Sequence, residues 1–309
     1  MYTFIVNPHS RSGLGKQIWK SVETELDTRG ICYRVFFTSP HRHIEKLIRE
    51  LTSDKKEHTI IILGGDGTVN EVINGISYPE KITLGYIPMG SGNDFARSYC
   101  LPTDPIHALN MILSAKHTQK MDIGELTYKN KTHRFAISAG FGFDAAICHE
   151  VVVSHWKPRL NRFKLGKLVY VFVALRQWFH LKPCKVNLTL DNNVTHTFQH
   201  CYFIASMNQP YEGGGFLFAP GANPSDGKLN VCVIADLSKW KMLLLLPTAL
   251  WGKHILFKGC SLYSCHSLSI HSESPRELHT DGKPWFLQTD LSIHCLPEQI
   301  HLITPQDCK

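Results

Sequence analysis

The run Thr59-Ile60-Ile61-Ile62-Leu63-Gly64-Gly65-Asp66-Gly67-Thr68-Val69-Asn70-Glu71 decides how the chain is read. Its isoleucines favour a buried strand. The strand stops abruptly at Gly64, Gly65 and Gly67, and a helix pattern opens at Thr68 or Val69. Glycine lets a backbone approach a ligand closely. Amides at a helix N-terminus attract anions, phosphate above all. Asp66 falls inside this turn, where a carboxylate suits a Mg2+ ion that bridges phosphates. Taken alone, the turn also fits a plain strand–turn–helix with an acidic surface residue.

Upstream, Tyr2–Val6 reads as a strand, and Leu14, Ile18, Val22 and Leu26 mark one helix face with a stop at Gly30. Tyr33–Phe37 is a second strand, and Ile44, Leu47, Ile48 and Leu51 a second helix face. Downstream, Thr83–Ile87 is a fourth strand ending at Pro88. Strands alternating with helices predict βαβ units and a mostly parallel sheet, whose ligands bind at the carboxyl ends of the strands. The character changes near residue 124. From Lys185 onward, short strand patterns dominate at Val186–Leu190, Tyr202–Ala205, Leu229–Ile234, Leu268–His271, Trp285–Leu287 and Leu291–His294. Gly, Pro and Asn clusters separate them, which predicts an antiparallel β domain.

At 309 residues, the chain suits one large domain or two smaller ones. A formal charge of +7 favours anionic partners: nucleotide, anionic lipid or nucleic acid. Met1–Val6 has no basic n-region and enters a strand pattern directly, unlike a signal peptide. The longest apolar run, Met242–Trp251, is too short to span a bilayer. The 10 cysteines include no C-x-x-C pair, and free thiols in a reducing cytosol are the expectation. None of the 18 histidines sits in an H-E-x-x-H or a zinc-spaced Cys/His pattern. Gly140-Phe141-Gly142-Phe143-Asp144-Ala145 fits the dinucleotide pattern G-x-G-x-x-[GA], but the chain lacks an acid twenty residues on. A strand-to-helix turn accounts for it better.

A second glycine turn, Pro88-Met89-Gly90-Ser91-Gly92-Asn93-Asp94-Phe95-Ala96-Arg97, follows the fourth strand. Two such turns at neighbouring strand ends would face one crevice. Asn7-Pro8 ends the first strand, and Ser12-Gly13-Leu14-Gly15-Lys16 follows at a helix start; it lacks Walker A spacing but suits a phosphate contact. Together these three segments resemble the soluble diacylglycerol/sphingosine lipid-kinase family, in particular its bacterial YegS-like and diacylglycerol-kinase members. Asp122 in Met121-Asp122-Ile123-Gly124, the Gly140 turn, Gly213-Gly214-Gly215 and Asp281-Gly282 extend the match, in order, over nearly the whole chain.

The resemblance implies a three-layer α/β nucleotide-binding domain over residues 1–123, like that of NAD and diacylglycerol kinases. It further implies an antiparallel β-sandwich lipid domain over 124–296, and a segment 297–309 that returns to the first domain. It implies ATP and Mg2+ as co-substrate and cofactor, and a lipid hydroxyl, diacylglycerol-like, as acceptor. Nucleotide contacts would come from Asn7, Ser12, Lys16, Gly64, Gly65, Gly67, Thr68, Gly90, Ser91, Gly92 and Asn93. Asp66, Asp94 and Asp122 would organise Mg2+ and its waters. A structural metal loop would use Asn223, Asp226 and the Lys228 carbonyl, with Asn223 where relatives can carry a carboxylate; a plain Asp-Gly turn reads equally well. The family typically ends its site with Asp-Gly-Glu, the Glu as general base. Here the run is Asp281-Gly282-Lys283. A lysine ammonium cannot accept a proton at neutral pH, and loss of a general base costs about 10²–10⁴-fold in rate. Asp281 is the substitute candidate.

Trp156–Lys182 joins Lys157, Arg159, Arg162, Lys164 and Lys167 to an apolar helix with Trp178 and Phe179. It suits transient docking on an anionic membrane surface, or simple packing on the β domain. The expectation is thus a cytoplasmic protein, peripheral on the inner membrane face, without nucleic acid; a homodimer stays open. The alternatives are a nucleotide- or lipid-binding regulator that lost the chemistry, and an NAD kinase.

Overall fold

The computed structural model describes residues 1–38, 44–153 and 166–306. Lys157, Arg159, Arg162 and Lys164 lie outside the described residues, as do the side chains of Ser12 and Lys167. The chain forms two compact units: Met1–Ile123 with Pro297–Lys309, and Gly124–Leu296.

In the first unit, strands and helices alternate as the sequence pattern requires. The order is β1 (Tyr2–Val6), α1 (Gly15–Thr28), β2 (Tyr33–Phe37), α2 (Ile44–Leu51), β3 (His58–Gly64), α3 (Asp66–Gly75), β4 (Ile82–Pro88), α4 (Asp94–Ser98) and α5 (Pro105–Ser114). The sheet is parallel, in the order β2-β1-β3-β4. β3 is central, and Ile60, Ile61, Ile62 and Leu63 are at most 1% exposed. An unbroken apolar run is what a parallel strand covered on both faces demands. Each such side chain contributes about 1.5–3 kcal/mol on burial. α1 packs Trp19, Val22 and Leu26 against Phe4 and Leu63, and ends where Gly30 takes φ +63°. A last strand completes this unit from far along the chain. The end of β13 (Lys283–Ile303) lies parallel to β4, with His301 opposite Thr83 and Leu302 opposite Leu84.

The second unit is antiparallel. It holds the ends of β5 (Thr118–Tyr128) and β13, with β6 (Lys131–Phe135), β7 (Ser138–Gly142), α6 (Phe143–Val153), α7 (Gly166–His180) and β8 (Cys184–Leu190). β9 (Val194–Met207), β10 (Leu229–Ala235), α8 (Lys239–Leu245), β11 (Cys260–Cys265) and β12 (Ser267–Thr280) follow. β9 and β12 are long strands. Each pairs with β8 along one half and with β7 along the other, enclosing Phe141, Leu188, Ile204, Val231 and Ile270. The opposite face of β9 and β10, with Phe203, Met207 and Ile234, packs with Met242 and Leu245 of α8. The two short strand patterns at Leu268–His271 and Trp285–Leu287 belong to β12 and β13. Register shifts between His271 and Leu278 break their apolar alternation and hide their length from the sequence. β7 has antiparallel neighbours on both sides, so the Gly140 turn belongs to no βαβ dinucleotide unit.

One buried polar cluster stands under this sheet. His279 Nε2 lies 3.2 Å from both Asp144 Oδ2 and Glu212 Oε1, and Ser138 donates its hydroxyl to Glu212 at 2.7 Å. Gly140 makes room, since a Cβ there would stand 2.1 Å from Asp144 Oδ2. Burial by itself lowers the His279 pKa, but Cys148, Asp144 and Glu212 outweigh it and hold the imidazole well above its ordinary value. The Gly282 N–H faces Nδ1 at 3.2 Å and opposes a second ring proton. Two carboxylates outweigh one amide dipole. A histidine raised by folding stabilises fully below its unfolded value, and the gain fades as pH rises through the folded value. The melting-temperature gap between wild type and His279→Gln is therefore expected to be largest below the unfolded value of about 6.5 and to shrink as pH rises above it. A gap that widens with pH, read by thermal unfolding, would sink this assignment.

Candidate active site

The two glycine turns meet at the carboxyl ends of β3 and β4. Met89 N–H donates to Gly64 O at 2.7 Å, and the buried Tyr86 hydroxyl donates to the same oxygen at 3.1 Å. A Cβ on Gly65 would stand 3.1 Å from Gly90 Cα, and one on Gly90 would stand 2.6 Å from Asn93 Oδ1. The contact between the turns therefore needs bare backbone on both sides. Asp66 crosses between them. Its Oδ2 accepts from the Asp94 N–H at 3.2 Å and its Oδ1 from the Phe95 N–H at 3.4 Å. The carboxylate thus caps the first turn of α4 from the neighbouring loop. Asn93 reaches that helix start in the left-handed conformation, φ +53°.

Asn7 ties the first strand to the same place. Its Nδ2 lies 3.4 Å from Thr68 Oγ1, and its backbone N–H donates to Leu63 O. Gly15 is needed beside it, because a Cβ there would stand 2.5 Å from Asn7 O. Lys16, Gly67 and Ser91 are exposed, and Gly92 is half-buried. Asp66 is half-buried, Asp94 is nearly buried, and Asp122 is fully buried. Asp94 pairs with Arg97 at 2.6 Å. Asp122 Oδ1 accepts from the Glu298 N–H at 2.7 Å, so it also anchors the returning segment. Burial pushes the Tyr86 phenol well above its ordinary value, and Asp66 and Asp94 add to the shift.

In the second unit, Asp281 and Gly282 form the tight turn between β12 and β13, with φ +48° and +76°. Two positive φ values in a two-residue hairpin explain the Asp-Gly pair. The Asp281 carboxylate, expected to receive the acceptor proton, is engaged elsewhere. Oδ1 accepts from the amides of Ile137 at 2.8 Å and Ser138 at 3.0 Å, and Oδ2 from that of Ala136 at 2.9 Å. The side chain clamps the entry to β7. Lys283 Nζ stands over the Trp285 ring, 5.3 Å from its centre, and Trp285 stacks on His133.

Asn223 Oδ1 accepts from the Ser225 N–H at 3.2 Å, and Asp226 Oδ1 from the Lys228 N–H at 2.9 Å. Each closes a turn on its own backbone, and Gly227 O accepts from the His266 ring at 2.9 Å. These bonds shape the loop that runs from Asn223 to Lys228. Glu212 and His279 escaped the sequence reading. They lie far apart in the chain and share no motif; only the pairing of His279 with Gly140 across β12 and β7 brings them together.

The comparisons agree with this layout. Residues 1–126 match the model of the diacylglycerol kinase catalytic domain, and residues 138–304 match that of the YegS C-terminal NAD kinase beta sandwich-like domain. YtlR of Bacillus subtilis (strain 168) is 28% identical over 287 residues, covering 91% of this chain and 92% of that protein. A diacylglycerol kinase of Staphylococcus haemolyticus is 27% identical over 305 residues, covering 98% of this chain and 88% of its own. A solved structure from Bacillus anthracis str. Sterne has a TM-score of 0.77 at 22% identity and covers 99% of this chain and 95% of that one, which supports the fold. With an alternating α/β half followed by a β-rich half, and a match to both models, the chain belongs to the diacylglycerol kinase catalytic-domain family in the form that carries a YegS C-terminal domain.

Proposed function

We propose that the protein is an ATP- and Mg2+-dependent kinase that phosphorylates a lipid hydroxyl, diacylglycerol-like in class. The observation that carries this reading is the junction of the two glycine turns, with Asp66 capping one from the other. Backbone amides of residues 64–68 and 90–93 would take the nucleotide phosphates, with the exposed Lys16 as a further cation. Asp66, Asp94 and Asp122 do not bring their oxygens within 4.8 Å of one another as a set. Mg2+ commonly keeps several of its own waters and takes one or two carboxylates. Mg2+ held there would neutralise phosphate charge as the γ-phosphoryl group moves. The first unit would thus bind nucleotide and the second the lipid.

Phosphoryl transfer depends chiefly on positioning and charge stabilisation. Lys283 in place of an acid would slow such an enzyme without silencing it. Asp66→Ala removes both the cap on α4 and the central carboxylate, and is expected to abolish ATP-dependent lipid phosphorylation. Near-wild-type turnover with labelled ATP and a lipid panel would remove Asp66 from the mechanism. The second reading, a binding regulator, is favoured by Lys283 and by the committed Asp281 carboxylate. The same assay on Lys283→Glu separates the two. Activity in both proteins supports the kinase, and activity in the variant alone supports the regulator.

We also propose a membrane-facing patch on the second unit. Trp240, Leu244, Trp251 and Leu256 are 67%, 77%, 68% and 78% exposed. They share a segment with Lys239, Lys241, Lys253 and Lys258 and no acid between Asp236 and Glu273. Trp240 meets Trp178 edge-on, and Trp178 in turn meets the exposed Phe179 on α7, the helix that also carries exposed Phe172. Aromatic and apolar side chains ringed by cations suit an anionic bilayer surface. No described helix is long and apolar enough to cross a membrane. The double variant Trp240→Glu/Leu244→Glu is expected to lose about tenfold or more in cosedimentation with anionic vesicles. Unchanged sedimentation would refute the patch.

A further inference from the structure

Two clusters of three ligand-type side chains lie with their donor atoms within 4.8 Å of one another: Asp144, Glu212 and His279, and Cys232, His254 and Cys260. Their histidines are oriented differently. Nε2 of His279 faces two carboxylate oxygens at 3.2 Å and is a donor to them. That cluster holds a proton. In the other, His254 Nε2 lies 3.1 Å from Phe218 O. A carbonyl can only accept, so Nε2 carries the hydrogen and the lone pair is on Nδ1. His254 is wholly buried, and its Nδ1 has no hydrogen-bond partner among the described residues. An imidazole whose second nitrogen donates to a backbone carbonyl is the arrangement of a metal-ligating histidine.

The sulfurs complete the set. Cys232 is buried on β10, and Cys260 opens β11. Cys232 lies opposite Leu262 and Ile234 opposite Cys260, so the two cysteines are diagonal neighbours on one face of the antiparallel pair. Their sulfurs are 3.9 Å apart. Two thiolates on one tetrahedral zinc, each at ~2.3 Å, stand ~3.8 Å apart. A disulfide would need ~2.05 Å. The surroundings are apolar: Phe218, Ala219, Met242, Leu245 and Leu262. In such a place the charge of the ion decides. A divalent cation with two thiolates and a neutral imidazole has no net charge, and burial then carries the smallest penalty.

We propose that Cys232, His254 and Cys260 bind a zinc ion. Binding displaces one proton from each thiol, forms two Zn–S bonds and one Zn–N bond, and leaves a fourth position for water. The ion would fasten the turn at Lys253–Leu256 and the start of β11 onto β10. The proposal is independent of the kinase reading.

The test uses the full chain, free of any histidine tag and purified from zinc-supplemented cells. Elemental analysis is expected to give about one zinc per chain, retained in Cys265→Ser and lost in Cys232→Ser, Cys260→Ser and His254→Gln. Metal-free, reduced wild type titrated with Co2+ is expected to develop tetrahedral visible bands and a thiolate charge-transfer band. This measurement needs no variant to fold. Folded, reduced wild type without the charge-transfer band would overturn the site. So would zinc that survives Cys260→Ser, or a Cys232–Cys260 disulfide-linked peptide in a non-reducing digest.

Discussion

One carboxylate holds the α/β half of the molecule to its design. Asp66 leaves the end of β3 and accepts the amides that open α4 after β4. Without it, those amides would lose their cap, and the second turn would lose its fixed distance from the first. The contact works only because Gly65 and Gly90 present bare backbone to each other. Around this pairing stand the left-handed Asn93, the Asn7 tie to Thr68, and the phenol of Tyr86 on Gly64 O.

The first half of the fold was legible because each strand there is buried on both faces and each helix shows one apolar stripe. Ile60–Leu63 and Leu14–Leu26 are direct readings of those two periods. The second half was only partly legible. β12 and β13 change register near Arg276 and carry prolines at 275 and 297, so the sequence shows fragments where the sheet has continuous strands. The glycine turns declared themselves through local spacing. Glu212 and His279, and Cys232, His254 and Cys260, could not, since only tertiary folding brings them together. A search by spacing fails on side chains gathered from separate strands and turns.

The hairpin at Asp281 shows how one motif can carry two meanings. As sequence, Asp-Gly-Lys reads as a damaged catalytic motif. As structure, it is a turn in which Asp281 collects three amides and Lys283 rests over Trp285. The aspartate has a structural reason to be there whether or not a base follows it. The chemical question therefore narrows to the lysine alone.

The returning strand sets an order of events. The α/β unit takes its last strand from residues that leave the ribosome after the whole second unit has been made. Until then, β4 is an open edge, its hydrogen-bonding groups exposed beside a hydrophobic core. The growing chain must keep that edge unpaired while the β-rich unit folds behind it. Loss of His301 and Leu302 would thus strike the N-terminal unit, far away in sequence.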